Sequence, residues 1–260
     1  MKKYFAIFCV AGLFFMGQPS FANNVTVSSV QLVSQNLTDH YCLVQFNIYW
    51  NNSWRTSSIP QNWDAAWVFI KYRIAGGEWH HAKINPAGSV IPTGGAANFA
   101  DSTGVFLYRD SDGSGTFNLS SVGIRWDYGD NGVADDALVE VRVFAIEMVY
   151  VPGGSFYLGD GSATYTAYES PNTTQPYLID GTTITFGTSA GSLHAGGNFG
   201  SGMVGSSVPS SYPTGYDAFY CMKYEISQEQ YVDFLNTLTR DQQNYRTTSD
   251  VSGDVITSAY

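Results

Sequence analysis

The run Met148-Val-Tyr-Val-Pro-Gly-Gly-Ser-Phe-Tyr-Leu-Gly-Asp160 reads as strand, tight turn, strand. An apolar segment stops at Pro152-Gly153-Gly154, resumes over residues 155–158 and stops again at Gly159-Asp160. Pro fixes φ and Gly admits positive φ, so these residues punctuate extended chain where it must turn. The same rhythm runs upstream. Residues 25–33 alternate apolar and polar, and residues 40–50 do so more strongly through Tyr41, Leu43, Phe46, Ile48 and Trp50. Residues 67–74, the Gly76-Gly77 turn and residues 79–84 have the spacing of a hairpin. Further strands fall at 105–108, 121–126 and 137–148, the last running straight into residues 149–152. About seven strands separated by Gly, Asp and Asn clusters predict a β-sandwich with an immunoglobulin-like layout.

The chain opens with a leader. Lys2-Lys3 form a basic start, residues 4–16 an apolar core, and Ser20-Phe21-Ala22 a small-residue cleavage site. The apolar core is shorter than the roughly 18–20 residues that span a bilayer, so a retained anchor is the lesser alternative and no transmembrane segment is expected. Export places the mature protein in a periplasm, outside the cell or on its surface. Without the leader, 10 basic side chains face 22 acidic ones, a formal charge of −12. That balance argues against nucleic acid as a partner, because nothing neutralises phosphates. Charged residues make up only 13% of the chain and aromatic ones 15%, a composition that suits ordered β structure.

Removing the leader takes away Cys9 and leaves Cys42 and Cys221. Export permits a disulfide between them. Each sits within an apolar strand of a different predicted domain, however, and two separately buried thiols are the favoured reading. Cys-x-x-Cys and Cys/His zinc spacings are absent from the sequence.

Residues 161–215 are rich in Gly, Ser and Thr around a strand at 176–186, and residues 187–205 read as a surface loop. The one helix expected runs from Ser227 to about Leu238. Ser227 is an N-cap and Gln230 completes a capping box, while Tyr231, Phe234, Leu235 and Leu238 form one apolar stripe read as core. Glu225, just before the cap, is read as ordering backbone.

Few residues suggest chemistry. His40, His80 and His81 fall on predicted strands, and the adjacent pair points to opposite faces, so it cannot chelate one metal. His194 lies in a Gly-rich loop, where polar surface is its ordinary role. The sharpest constellation is Asp110-Ser-Asp-Gly-Ser-Gly-Thr-Phe-Asn118. Asp110, Asp112 and Ser114 take positions 1, 3 and 5 of a calcium loop, and Gly115 the turn position. Ser121 stands where such a loop wants a bidentate acid, so the competing reading is a polar hairpin loop. The acidic turn 127–136 contains Asn131-Gly132, a hairpin signal, and its acids are read as solvated. Trp54 and Trp63 sit in polar loops, where they stack on sugar rings or a partner, or fold back over a sandwich edge.

Residues 148–160 together with Ala218-Phe-Tyr-Cys-Met-Lys-Tyr-Glu-Ile-Ser-Gln-Glu-Gln-Tyr-Val-Asp-Phe-Leu-Asn-Thr-Leu238 resemble the formylglycine-generating enzyme (sulfatase-modifying factor) family. Its domains open with Met-Val-x-(Val/Ile)-Pro-Gly-Gly-x-Phe-x-(Met/Leu)-Gly. A Phe-Tyr-x-x-Lys-Tyr-Glu-(Val/Ile)-(Ser/Thr) strand then leads into a helix with Gln-Tyr-x-x-Phe. Of that family's Glu-x-Pro-x-His pattern only Glu169-Ser-Pro171 is present. With the signal peptide at 1–22 and the sandwich at 23–145, the resemblance implies at 146–260 the first part of a C-type-lectin-like α+β domain, truncated before its end, in a mainly β chain. A complete domain of this kind oxidises a client sulfatase's cysteine to formylglycine with copper and O2, while relatives use non-haem iron. Its catalytic cysteine pair lies near the domain's end, so no catalytic residue carries over and Cys221 is not one of that pair. No cofactor is evident in the chain itself apart from the calcium reading. Two functions follow: an exported oxidase of this family that is inactive in the present chain, or a non-catalytic surface protein binding a sulfatase-like client, a cell-surface glycan or another protein on a lectin-like scaffold.

Overall fold

The computed structural model describes residues 24–159, 168–171, 174–196 and 200–247. Residues 1–23, 160–167, 172–173, 197–199 and 248–260 lie outside them, and with them the expected leader and its cleavage site. Nine strands come first: β1 (Thr26–Asn36), β2 (Tyr41–Thr56), β3 (Asn62–Ile74), β4 (His80–His81), β5 (Ile84–Val90), β6 (Gly95–Phe99), β7 (Gly104–Arg109), β8 (Gly113–Trp126) and β9 (Val139–Val151). Six short ones follow: β10 (Phe156–Leu158), β11 (Tyr177–Ile179), β12 (Ile184–Gly187), β13 (Leu193–His194), β14 (Ser207–Val208) and β15 (Phe219–Met222). Helices α1 (Gln228–Leu235) and α2 (Arg240–Arg246) close the described chain.

The fold is mainly β, made of curled antiparallel sheets. β2 carries β1 on one edge and β8 on the other, with β5 beyond β8. β3 carries β9 on one edge and β7 on the other, with β6 beyond β7. The two halves join where β2 bends into β3, at Arg55↔Trp63 and Thr56↔Asn62. Alternation explains why they pack face to face. Val44, Phe46, Ile48 and Trp50 of β2, and Ala66, Val68 and Ile70 of β3, are each at most 1% exposed and belong to one core. Burying each large side chain contributes about 1.5–3 kcal/mol, so this shared interior is what holds the halves together.

Two β-bulges set which residues enter that interior. β8 spends one extra residue between Leu119 and Val122 opposite Ile48 and Phe46. Its buried positions accordingly switch from Phe117 and Leu119 to Val122, Ile124 and Trp126. Ser121, at φ 62°, takes the irregular conformation, and its amide donates to Asn47 Oδ1 at 2.8 Å. The second bulge, on β2, falls between Trp50 and Ser53, with Asn52 at φ 53°. It turns Ser53 inward directly after Trp50. An extra residue reverses the inward face in this way because the side-chain period of a strand is two.

β9 runs without a break across residues 145 and 146, and β15 extends the same sheet by pairing with its last four residues. At Gly153 a Cβ would sit 3.0 Å from the Ala218 amide nitrogen and 3.1 Å from the Tyr216 carbonyl. Gly154 N–H donates to that same carbonyl at 2.8 Å. The Pro152-Gly-Gly turn is thus also where two backbones meet, which is what glycine permits. Beyond it lie a β10–β11 pair, a small sheet of β12, β13 and β14, and a second core around Tyr177, Ile179 and Ile184.

α1 forms where expected. Ser227 Oγ accepts from Gln230 N–H, and the Gln230 side chain accepts from the Ser227 amide, closing the capping box. Its stripe is only partly core: Leu235 is fully buried, but Phe234 is 39% exposed. α2, which lacks an apolar stripe, has the same device in Thr239 and Gln242.

Candidate functional site

The most constrained charges lie where β15 ends. Lys223 N–H donates to the Glu147 carbonyl at 2.9 Å, continuing the β9 pairing by one residue. This register sends the Lys223 side chain inward, where it is 9% exposed. There its ammonium lies 3.0 Å from each of three acceptors: Asp64 Oδ2, Glu147 Oε2 and the Asn52 carbonyl on the β2 bulge. Asp64 also accepts from Trp50 Nε1 at 2.9 Å, Ser53 Oγ at 2.8 Å and the Trp54 amide at 3.0 Å. Glu147 Oε1 accepts from the Asn24 amide at 3.0 Å. Its Oε2 is close enough to Lys223 for an ion pair but is not aligned for a hydrogen bond. Asp64 and Glu147 are 0% and 1% exposed, and buried carboxylates persist only when paired. Burial by itself would push the Lys223 ammonium down. The hydrogen bond and charge of Asp64, then the charge of Glu147, outweigh it and hold the group above the ordinary lysine value.

The outward face beside this cluster is aromatic. Trp63 stacks on Tyr150 at 3.9 Å and on Tyr108 at 5.7 Å, and its Nε1 donates to the Tyr220 hydroxyl at 3.1 Å. Arg55 lies over Trp63 and Tyr108, and Phe106 stacks on Tyr220 at 3.8 Å. Such pairs contribute about 0.5–1.5 kcal/mol each beyond area burial. Trp63 is therefore engaged within the protein. So is Trp54, whose Nε1 donates to Asn62 Oδ1 at 2.7 Å and whose ring faces Lys223. Of the two readings for these tryptophans, folding back onto the protein's own sheet is the one the contacts match.

The calcium-loop residues stand at the turn from β7 into β8. Asp110 Oδ2 accepts from the Gly94 amide at 3.1 Å, Asp112 Oδ2 accepts from Ser57 Oγ at 2.7 Å, and Ser114 pairs with Trp54 in the β2–β8 ladder. The Ser57 hydroxyl and then its amide hold the exposed Asp112 carboxyl below the ordinary aspartate value. The two carboxylates thus have separate partners, and Ser121 is the bulge residue. Among the described residues no group of three or more His, Cys, Asp or Glu is placed to hold a metal.

Other candidates fall into structural roles. Cys42 and Cys221 are both free. Burial pushes the Cys42 thiol up to about 11, whereas Cys221 is exposed, against the expectation that both are buried. Asp127 is also a correction: it is buried and accepts from Arg125 Nε at 2.6 Å and Asn85 Nδ2 at 2.8 Å. His80 and His81 pair with Tyr72 and Lys71 of β3. His194 Nδ1 lies 3.2 Å from Ser170 Oγ, so the chain brings a histidine beside Glu169-Ser-Pro171 from β13. Ser170 is 2% exposed, and the His194 ring stacks on Tyr168 at 4.4 Å.

Sequence reasoning missed Lys223, Asp64 and Glu147. The available signal was an acid inside each of two apolar strands, Trp63-Asp-Ala-Ala-Trp67 and Ala145-Ile-Glu-Met148, since carboxylates are almost never fully buried unless paired.

Beside the cluster, α1 and the start of β1 enclose an apolar cleft of about 530 Å³ against β9. Phe69, Phe144 and Ile146 line one side, and Met222, Ile226 and Phe234 the other. Among the described strands, β15 pairs with β9 only over residues 148–151, and none pairs with that edge over residues 139–146. Among the described residues, no helix is long and apolar enough to cross a membrane. No protein-family model matches the chain, and no curated protein or solved structure matches it either.

Proposed function

We propose that the chain is an exported protein built on the scaffold of the formylglycine-generating enzyme family, and that its described part binds an extended segment of a partner protein. The family reading is supported by the pairing of the two stretches that carry the resemblance, with Met148 opposite Met222 and Val151 opposite Phe219. The binding reading is carried by the cleft. Its volume suits an apolar ligand of a few side chains, and Met222, Ile226 and Phe234 at its rim are 42%, 47% and 39% exposed. The edge of β9 over residues 139–146, which no described strand pairs with, adds the main-chain donors and acceptors by which extended peptides join a sheet while alternate side chains enter pockets. A sulfatase-like client, the partner that the resemblance implies, would present such a segment.

The copper implied for a complete domain does not fit the donors described. Cys42 is inside the core on β2 and Cys221 is exposed on β15. Oxidation of a client cysteine with metal and O2 belongs, in this reading, to the complete family domain, while the described residues supply binding. The test is calorimetric titration of the chain with a cysteine-bearing sulfatase-motif peptide, followed by trapping of any aldehyde in the presence of copper and air. Micromolar binding that Phe234→Asp weakens at least about tenfold, a loss of about 1.4 kcal/mol, is expected, with the peptide thiol unchanged. Absence of binding would refute the binding reading, and trapped aldehyde would show that this chain itself is the oxidase.

A further inference from the structure

The apolar cleft is lined by four consecutive residues of β9: Val143, Phe144, Ala145 and Ile146. Successive side chains of a strand point to opposite faces, so a cleft that touches all four opens on the strand's edge. The main chain agrees. The Glu147 carbonyl accepts from Lys223 on the β15 side, whereas the Leu138 carbonyl accepts from Ala75 on the β3 side. Between them β9 stays in unbroken register with β3. Val139, Val141, Val143 and Ala145 therefore turn their N–H and C=O groups to the β15 side, where no described strand meets them. Both faces beyond that edge are walled. Val25 and Val27 pack on the main core together with Val143 and Ala145. Phe144 stacks on Phe69 on the opposite face, to which Lys71 ties the end of α1 by donating to the Thr237 carbonyl at 3.0 Å.

Charge changes along the same edge. Arg142 comes just before the cleft residues, with Lys71 opposite it on β3 and Arg73 opposite Glu140. The Arg142 and Arg73 guanidinium groups lie 4.8 and 4.7 Å from the Trp79 ring. Among the described residues, Glu140 is the only carboxylate paired with any of these three cations. A chain of formal charge −10 thus gathers a local excess of positive charge at one end of the cleft. The acid among the cleft's lining residues, Asp233, stands across from β9 on α1.

We propose that the partner segment is a strand apolar at four successive positions and acidic at the next, running antiparallel to β9 with its apolar residues opposite Ile146 to Val143 and its acid opposite Arg142. The inference rests on the reading of the cleft as a strand-binding site. The antiparallel direction follows from β3 and β15, which both pair with β9 that way. A strand held between two apolar walls is buried on both faces, and such strands read as continuous apolar runs rather than alternating ones. On this edge Arg142 takes a non-hydrogen-bonded position, where paired Cα atoms approach to about 4.5 Å and side chains are closest. A carboxylate there meets the guanidinium, and Arg73 continues to hold Glu140.

The probe is the end-blocked peptide Ser-Gly-Val-Ile-Val-Val-Asp-Gly-Ser, titrated calorimetrically into the full chain beside two relatives. One relative alternates (Val-Ser-Val-Ser-Asp at the centre), and the other carries Lys in place of Asp. The apolar acidic peptide should bind at least about tenfold more tightly than the alternating one and about threefold more tightly than the lysine one. Arg142→Glu should invert the second preference and leave the first. The Arg142 side chain is 44% exposed, so this variant keeps the fold, which calorimetric melting checks. Equal affinity for the alternating peptide, or an aspartate preference that survives Arg142→Glu, would overturn the proposal while leaving strand binding intact. Sedimentation of the free chain covers another occupant: a dimer that excludes the peptides would put a second copy in the cleft and overturn it too. Refusal of every peptide by a monomeric chain would refute the strand-binding reading itself.

Discussion

Replacing Lys223 by Met should cost the folded protein about 3–5 kcal/mol, the scale for removing one partner of a buried ion pair. Met keeps an unbranched apolar stem, so the loss isolates the charge. Without the ammonium, Asp64 and Glu147 remain buried, and the Asn52 carbonyl loses its donor. In urea unfolding the midpoint should fall with little change in slope, and the melting temperature should drop by about 10 °C at 2–4 °C per kcal/mol. The pH dependence follows from the raised Lys223 value: its contribution is complete below the unfolded lysine value near 10.4 and is lost only as pH climbs through the higher folded value. The deficit of Lys223→Met should therefore be flat from pH 6 to 9. A loss below about 1 kcal/mol would place Lys223 among exposed, screened pairs instead.

Trp50→Ala should be comparably severe, at about 3–5 kcal/mol for an aromatic removed from a core. Trp50 is fully buried, packs edge-on against Phe117 at 4.8 Å and donates Nε1 to Asp64 at 2.9 Å. Trp50→Phe separates the two contributions. Phe retains part of the ring packing but withdraws the indole donor, so it should cost about 1–3 kcal/mol. Chemical denaturation of both variants checks this. Equal costs would mean that the hydrogen bond to Asp64 outweighs the packing.

Much of the antiparallel β structure was legible because its long strands each bury one face. The alternation through Phe46, Ile48 and Trp50, and the apolar run from Trp67 to Tyr72, fall within β2 and β3, but β2 runs on to Thr56 and β3 begins at Asn62, so Trp54 and Trp63 stand on strands and not in the loops expected of them. What escaped was structure that alternation does not encode. β5 contains Pro86 and Gly88, and β6 begins at Gly95; these strands satisfy backbone pairing with few side chains in the core, so they read as loop. The first half of β8 was hidden because Gly113-Ser-Gly-Thr116 looks like a turn, and the bulge at Ser121 then reverses its inward face. The helix cap at Ser227 and Gln230 is local chemistry and could be read directly. The charge cluster could not. Asp64, Glu147 and Lys223 are far apart in sequence and meet only because β9 pairs with both β3 and β15. The calcium reading of Asp110, Asp112 and Ser114 depended on spacing within one loop, and the fold gives the two carboxylates different partners.

The central claim is that the stretch from Phe219 to Lys223 is an integral part of the large antiparallel sheet, paired with β9 and fastened by the Lys223 ammonium. Amide hydrogen exchange of Lys223, whose N–H donates to the Glu147 carbonyl, tests it most directly. The account predicts protection comparable to that of the β3–β9 amides, opening only with global unfolding, and reduced protection in Lys223→Met. Exchange at the rate of an unstructured loop, while β3 and β9 stay protected, would contradict it.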